Sequence, residues 1–190
     1  MIQTRRNRFI LAFGSNATAE MPSNADLLKD AFERFNETAL KIETISGIWR
    51  TPAFPAGSGP DFANACAIVE GDVSAEGALT IVHEIEAQMG RIRTVRWGQR
   101  VIDIDVLAMG DAVAPNIETW RHWFGLPLAD QQRLAPEHLI LPHPRLQDRA
   151  FVLVPMQEIA PNWVHPVLGK TVSQMRDALD PAETGAVSRI

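Results

Sequence analysis

Strand and helix signals in the order β-α-β-β-α-β over residues 8–107 predict an α+β fold. The expected architecture is a ferredoxin-like core with an antiparallel sheet, followed by a C-terminal elaboration. Two observations carry this: short apolar runs alternate with helical spacing in that order, and turn residues separate them. A length of 190 residues with 46% hydrophobic and 22% charged residues is a globular mix. It favours one domain over residues 1–190 rather than several, or disorder.

Each element has its own signal. Residues 8–13 form an apolar run closed by Gly14-Ser15-Asn16, a strand then a turn. Ser23 or Asn24 caps a helix whose apolar positions Leu27, Leu28, Ala31, Phe32 and Phe35 recur at helical spacing. Residues 42–50, rich in Ile and Thr, read as one strand, and a loop over 51–60 follows with three prolines and two glycines. Residues 62–70 read as a strand. Ser74 caps a second helix through Ala78, Ile81, Val82, Ile85 and Met89, closed by Gly90. An Arg-rich loop and a strand over 101–107 complete the core. Beyond Asp111 the signals weaken: 152–159 fits strand or helix, and 171–179 a short terminal helix.

Composition narrows the function classes. A net charge of −5 argues against a general nucleic-acid binder, whose affinity comes from neutralised phosphates. One cysteine, Cys66, excludes an internal disulfide framework and a thiolate metal cluster. No apolar run approaches the ~20 residues that span a bilayer, and residues 1–9 lack the apolar stretch of a signal peptide. A cytoplasmic location and no membrane or nucleic-acid partner are therefore expected. Of the 18 basic residues, three are Lys (Lys29, Lys41 and Lys170), and four of the Arg residues fall within 91–100. Guanidinium groups pair bidentately with phosphate or carboxylate, so this cluster fits a bound small anion as well as a solvated loop.

The sharpest local feature is Ile102-Asp103-Ile104-Asp105-Val106. On a strand Asp103 and Asp105 share one face, with Cα atoms roughly 7 Å apart. Such a pair fits either an amphipathic strand facing water or a hard cation held together with substrate phosphates. The adjacent arginines favour the second, since cations for phosphate and carboxylates for Mg²⁺ are the halves of a nucleoside triphosphate site. Other motifs are absent. Gly169-Lys170-Thr171 lacks the upstream glycine of a phosphate-binding loop, His83-Glu84 lacks a second zinc-binding His, and no G-x-S-x-G occurs.

Five stretches now stand together. They are Phe13-Gly14-Ser15-Asn16; Trp49-Arg50-Thr51-Pro52; Pro60-Asp61-Phe62-Ala63-Asn64-Ala65; Arg91-Ile92-Arg93 through Arg96-Trp97-Gly98-Gln99-Arg100 to Asp105; and Leu141-Pro142-His143-Pro144-Arg145 with Arg149-Ala150-Phe151. In this order the chain resembles the 6-hydroxymethyl-7,8-dihydropterin pyrophosphokinases of folate biosynthesis. The resemblance implies transfer of ATP's pyrophosphoryl group to the substrate hydroxymethyl oxygen, with release of AMP. It implies that Asp103 and Asp105 hold two Mg²⁺ ions, and that Arg91, Arg93 and Arg100 act on phosphates, with Trp97 closing over the site. His143 and Arg149 also face the nucleotide. Thr51, Pro52, Phe54 and Asn64 line a pterin pocket, with the ring between Phe62 and Phe151. Asn16 and Glu86 match positions near the site, Asn16 on the substrate side. A monomer is expected. A flat polar heterocycle suits aromatic faces with a few amide partners, and Asn64 between alanines is hard to explain as core.

The chain also departs from the family pattern. Gln99 stands in place of a proline, Trp49 in place of a tyrosine, and the stretch between Arg93 and Trp97 is shorter. An inserted segment at about residues 112–138 carries Trp120, Trp123 and Phe124, which are expected mainly to pack it onto the body, the alternatives being to cover the nucleotide edge or to contact another subunit. Rival readings fit less well. Nucleotidyltransferases place G-S and D-x-D close together, whereas Ser15 and Asp103 are far apart. An RNA-recognition module needs stacking aromatics and a basic face, and a sensor domain explains neither the carboxylates nor the arginines.

Overall fold

A computed structural model of the chain describes residues 6–17, 22–53, 59–91, 101–127, 130 and 133–190. In chain order the elements are β1 (Asn7–Ser15), α1 (Asn24–Arg34), β2 (Lys41–Ile45), β3 (Trp49–Thr51), β4 (Phe62–Gly71), α2 (Ala75–Gln88) and β5 (Asp103–Met109). They continue with α3 (Ile117–Gly125), α4 (Ala150–Ile159), α5 (Val172–Asp177), α6 (Pro181–Gly185) and β6 (Ser188–Arg189). The sheet runs β5-β1-β4-β3-β6, with β2 also pairing β4, and every pairing is antiparallel. This is the expected α+β core.

The 42–50 segment is two strands rather than the single strand expected. Pairing against β4 slips by one residue between Ile42 and Thr44, and by one more between Ile45 and Trp49. At the break Ser46 turns inward: its amide donates to the Cys66 carbonyl and its hydroxyl accepts from the Cys66 amide, both at 2.9 Å. Bulges of this kind re-aim the side chains that follow. Trp49 and Thr51 thereby come opposite Asn64 and Phe62. The 152–159 ambiguity resolves as helix, with Pro155 inside α4.

Both faces of the sheet are covered over part of their area. On one, Phe9, Leu11 and Phe13 of β1, Ala63, Ala65, Ala67 and Val69 of β4, and Ile104 and Val106 of β5 pack under α1 and α2. The alanines let the helices approach closely. Ser23 and Ser74 cap these helices, accepting from the amides of Asp26 and Gly77. On the other face, Ile10, Cys66 and Ala108 meet Val152, Leu153 and Met156 of α4 and Val172 and Met175 of α5. Burial on both sides explains why β4 reads as an almost continuous apolar run. The α4 layer stops short of one end of this second face, and the candidate residues lie there.

Candidate active site

One row of register partners crosses that end of the sheet: Asp103 on β5, Gly14 on β1, Asn64 on β4 and Trp49 on β3. Strands are ~4.8 Å apart, so the Asp103 and Asn64 backbones stand ~10 Å apart. Gly14 between them adds no side chain to the face. The next row is Asp105, Ala12 and Cys66. There α4 begins its cover: the Cys66 thiol lies 3.6 Å from the Val152 carbonyl, to which it donates. Burial pushes that thiol's pKa far up, so Cys66 is packing rather than chemistry.

The Asn64 side of the row is an amide–hydroxyl pair. Asn64 is buried, and its Nδ2 donates to Thr51 Oγ1 at 2.8 Å. Phe62 lies two residues along the same strand face, half-buried opposite Thr51, and Pro52 is exposed beside it. Asn16 follows the end of β1. Its neighbour Ala17 donates its amide to Asn24 Oδ1 at 2.8 Å, while Asn24 Nδ2 donates to the Asp61 carbonyl at 3.2 Å. The first residue of α1 thus joins the segment after β1 to the segment before β4.

The Asp103 side is a charge cluster. Arg91 Nη1 contacts both Glu86 Oε1 and Asp103 Oδ1, the latter at 2.6 Å. Glu86 is buried on α2, and its Oε1 also accepts the Ile104 amide at 2.8 Å. Gly90, at φ +86°, turns the chain back so that the Arg91 amide donates to the Glu86 carbonyl at 3.0 Å. Arg149 Nη1 lies 3.4 Å from Asp105 Oδ2, and its guanidinium stands 5.7 Å from the centre of the exposed Phe151 ring. His143 donates its amide to the Leu107 carbonyl at 2.8 Å and accepts the Arg145 amide on Nδ1 at 3.1 Å. Desolvation, with Arg149 adding repulsion, pushes its imidazole pKa down to about 3. With Nδ1 accepting, the neutral ring carries its proton on Nε2.

The carboxylates border a cleft of about 210 Å³ along the outer edge of β5, lined by Leu79, His83, Glu86, Asp103, Leu139 and His143 among others. Asp103 and Asp105 are hard oxygen donors, partly exposed, each already matched by an arginine. Among the described residues no cluster of three or more such ligands stands together. A pair of carboxylates with phosphate completing the shell is the way Mg²⁺ is usually held, so the donor set fits that ion.

The structure therefore brings Arg91, Asp103, Asp105, His143 and Arg149 to one group, and Thr51, Phe62 and Asn64 to another on the same sheet face. Phe54, Arg93, Trp97 and Arg100 lie outside the described residues. Sequence reasoning missed Leu79, His83 and Leu139. Leu79, His83 and Glu86 are four and three residues apart on α2, a helical stripe that could have been read as one face.

Comparison with known proteins decides the family. The model of the 7,8-dihydro-6-hydroxymethylpterin-pyrophosphokinase (HPPK) family matches residues 10–161. The chain belongs to this family. Among HPPK relatives, the 2-amino-4-hydroxy-6-hydroxymethyldihydropteridine pyrophosphokinase of Methylorubrum extorquens is 35% identical over 176 residues, 92% of this chain and 95% of the relative. The protein of the same name from Synechocystis is 34% identical over 141 residues, covering 74% of this chain and 62% of the relative. Wild-type Plasmodium falciparum HPPK-DHPS has the same fold, with a TM-score of 0.64 at 17% identity, over 91% of this chain and 41% of that one. The HPPK match runs from β1 to just past α4, so it contains every candidate residue from Asn16 to Phe151. The C-terminal α5, α6 and β6 lie beyond it.

Proposed function

We propose that this HPPK-family chain transfers the pyrophosphoryl group of ATP to the hydroxymethyl oxygen of 6-hydroxymethyl-7,8-dihydropterin, releasing AMP, as a step of folate biosynthesis. The observation that carries the reading is the row Asp103-Gly14-Asn64: a charge cluster and a hydrogen-bonded Asn64–Thr51 pair stand on one sheet face, separated by a residue without a side chain. That spacing suits a heterocycle at one end and a polyphosphate at the other.

In this reading Asn64 and Thr51 hydrogen-bond the edge of the pterin, and Phe62 and Phe151 flank its ring. Asn16 and Pro52 close the rim, with Phe54 completing it. Asp103 and Asp105 would hold two Mg²⁺ ions. Bound there, Mg²⁺ neutralises phosphate charge as a Lewis acid. Arg91 and Arg149, which rest on the two carboxylates, are placed to take phosphate oxygens when ATP arrives, joined by Arg93 and Arg100. Neutral His143 offers Nε2–H as a donor without adding repulsion to the arginines, and Trp97 covers the nucleotide. The substrate oxygen attacks the β-phosphorus, the bond from that phosphorus to the AMP oxygen breaks so that the oxygen leaves with AMP, and the hydroxyl proton passes to solvent water as the new bond forms. Such a transfer needs positioning and charge neutralisation more than a strong base. We read the whole chain as one pyrophosphokinase unit with an insertion at 112–138, monomeric and cytoplasmic. Its lone, buried Cys66 suits a reducing compartment.

The test is AMP release from ATP and Mg²⁺, with and without the pterin, for the wild type and an Asp103→Ala/Asp105→Ala double variant. Pterin-dependent AMP that the variant loses by at least ~10²-fold is the expected result. ADP as the product, or AMP formation indifferent to the pterin, would overturn the proposal.

A further inference from the structure

The 112–138 insertion makes three backbone-directed contacts to one short stretch, and that stretch leads into the cleft. Ala114 and Leu141 form an isolated antiparallel bridge, with Ala114 N donating to Leu141 O at 2.8 Å and Leu141 N to Ala114 O at 3.0 Å. One residue further on, Trp120 Nε1 of α3 donates to the Pro142 carbonyl at 2.7 Å, a fully buried bond. The Pro142 carbonyl and the His143 amide belong to the same peptide unit. That unit is therefore gripped at both ends, its oxygen by Trp120 and its N–H by the Leu107 carbonyl of β5 at 2.8 Å. A peptide plane held at both ends fixes the N–Cα bond of the next residue; the His143 carbonyl, which accepts the Leu146 amide at 3.0 Å, holds the plane that follows, and between the two the Cα–Cβ direction is set. The next side chain is His143, on the cleft wall.

Trp120 is itself held. It is 1% exposed, stacks on Phe124 at 4.9 Å and 17°, and meets the edge of His165 at 5.3 Å. His165 in turn meets Trp163 at 5.6 Å, and Trp163 Nε1 donates to the Gly110 carbonyl at 2.9 Å, just beyond the end of β5. The aromatic column thus starts on the insertion and ends beside the strand that carries Asp103 and Asp105. A buried indole N–H must find an acceptor, and here the acceptor is the carbonyl of the peptide that leads into His143.

We infer that Trp120 is a positioning residue for the nucleotide half of the site, and that the insertion serves as a strut holding the 141–143 stretch, and so His143, in its binding orientation. This rests on the proposed role of His143 toward ATP. The clean variant is Trp120→Phe, which keeps a ring in the column and removes the N–H, leaving a buried carbonyl without its donor.

The measurement is the Kd of a non-hydrolysable ATP analogue with Mg²⁺ and the Kd of 6-hydroxymethylpterin, for the full chain and the variant. Amide hydrogen exchange at Leu141 and His143 is compared with that in the β1–β4 ladder. The expected result is nucleotide affinity about fivefold or more weaker, pterin affinity within about twofold, and faster exchange confined to 141–143. Unchanged nucleotide affinity would overturn the strut. So would equal weakening for both ligands with exchange raised throughout the sheet, which is general loosening. A wild type that fails to bind the nucleotide analogue would instead sink the proposed function, so the two failures are distinguishable.

Discussion

Glu86 is a buried carboxylate that, among the described residues, accepts the Ile104 amide and pairs with the Arg91 guanidinium. Removing it leaves a buried N–H without an acceptor and a mostly buried cation short of one carboxylate. Glu86→Ala is expected to cost about 2–4 kcal/mol in urea unfolding. Glu86→Gln keeps an oxygen for Ile104 and should cost less than half as much. A loss below ~1 kcal/mol for the alanine variant would mean that Arg91 re-pairs freely. Cys66 makes the opposite point. Its thiol is enclosed and its pKa is raised, so a thiol reagent should label it only under denaturing conditions; fast labelling of the folded chain would show that α4 lifts off the sheet. The carboxylate pair was readable in the sequence because strand alternation is rigid: Ile102, Ile104 and Val106 are buried, and Asp103 and Asp105 between them are not. Glu86 was not readable in that way. A glutamate on a helix is most often solvated, and only the fold reveals that the β5 backbone needs its oxygen.

Elements with simple periodic signals, β1, α1, β4 and α2, are legible because each buries one face or both against a neighbour already implied by the pattern. The 42–50 segment was not legible as two strands, since two successive register slips against β4 leave no trace in hydrophobic alternation. Nor was α4, where an apolar run containing Pro155 fits either state until the sheet it covers is known. Element ends carry their own test. Gly90 ends α2 at φ +86°, and a methyl group added there would meet no atom of the described residues within 4 Å, so its cost to alanine is conformational. Gly90→Ala should destabilise by about 1–2 kcal/mol. Gly125, at the end of α3, is equally open but not left-handed. Gly125→Ala should be neutral or stabilising by up to about 1 kcal/mol. Paired thermal unfolding of the two variants checks this, and equal losses would mean that helix ends tolerate the extra carbon poorly for some other reason.

The architecture as a whole joins three parts at His165: the insertion through Trp120, the end of β5 through Trp163, and the turn that leads into α5 through its own backbone bonds to Gly169 and Lys170. His165 is fully buried, and its Nδ1 accepts the Val167 and Leu168 amides, each at 3.2 Å. Among the described residues Nε2 has no hydrogen-bond partner. A proton on Nδ1 would face two donors and place a charge between two indoles, so desolvation pushes the folded pKa down to about 4 from an ordinary 6.5. Above pH 6.5 the ring is neutral in both folded and unfolded chains and contributes no pH dependence. Between pH 6.5 and about 4 the unfolded chain takes up a proton that the folded chain refuses. Stability then falls by up to about 1.4 kcal/mol per pH unit from this one group. His143, with its pKa also depressed, acts in the same sense. His165→Asn offers Oδ1 to the same two amides but has no proton to gain. Urea unfolding followed from pH 7.5 to 4.5 should give the variant a shallower decline than the wild type, by about one proton's slope. Parallel curves would place the acid sensitivity elsewhere and leave His165 as packing alone. A shallower curve would assign that part of the acid sensitivity to the proton His165 refuses while the junction it fills is intact.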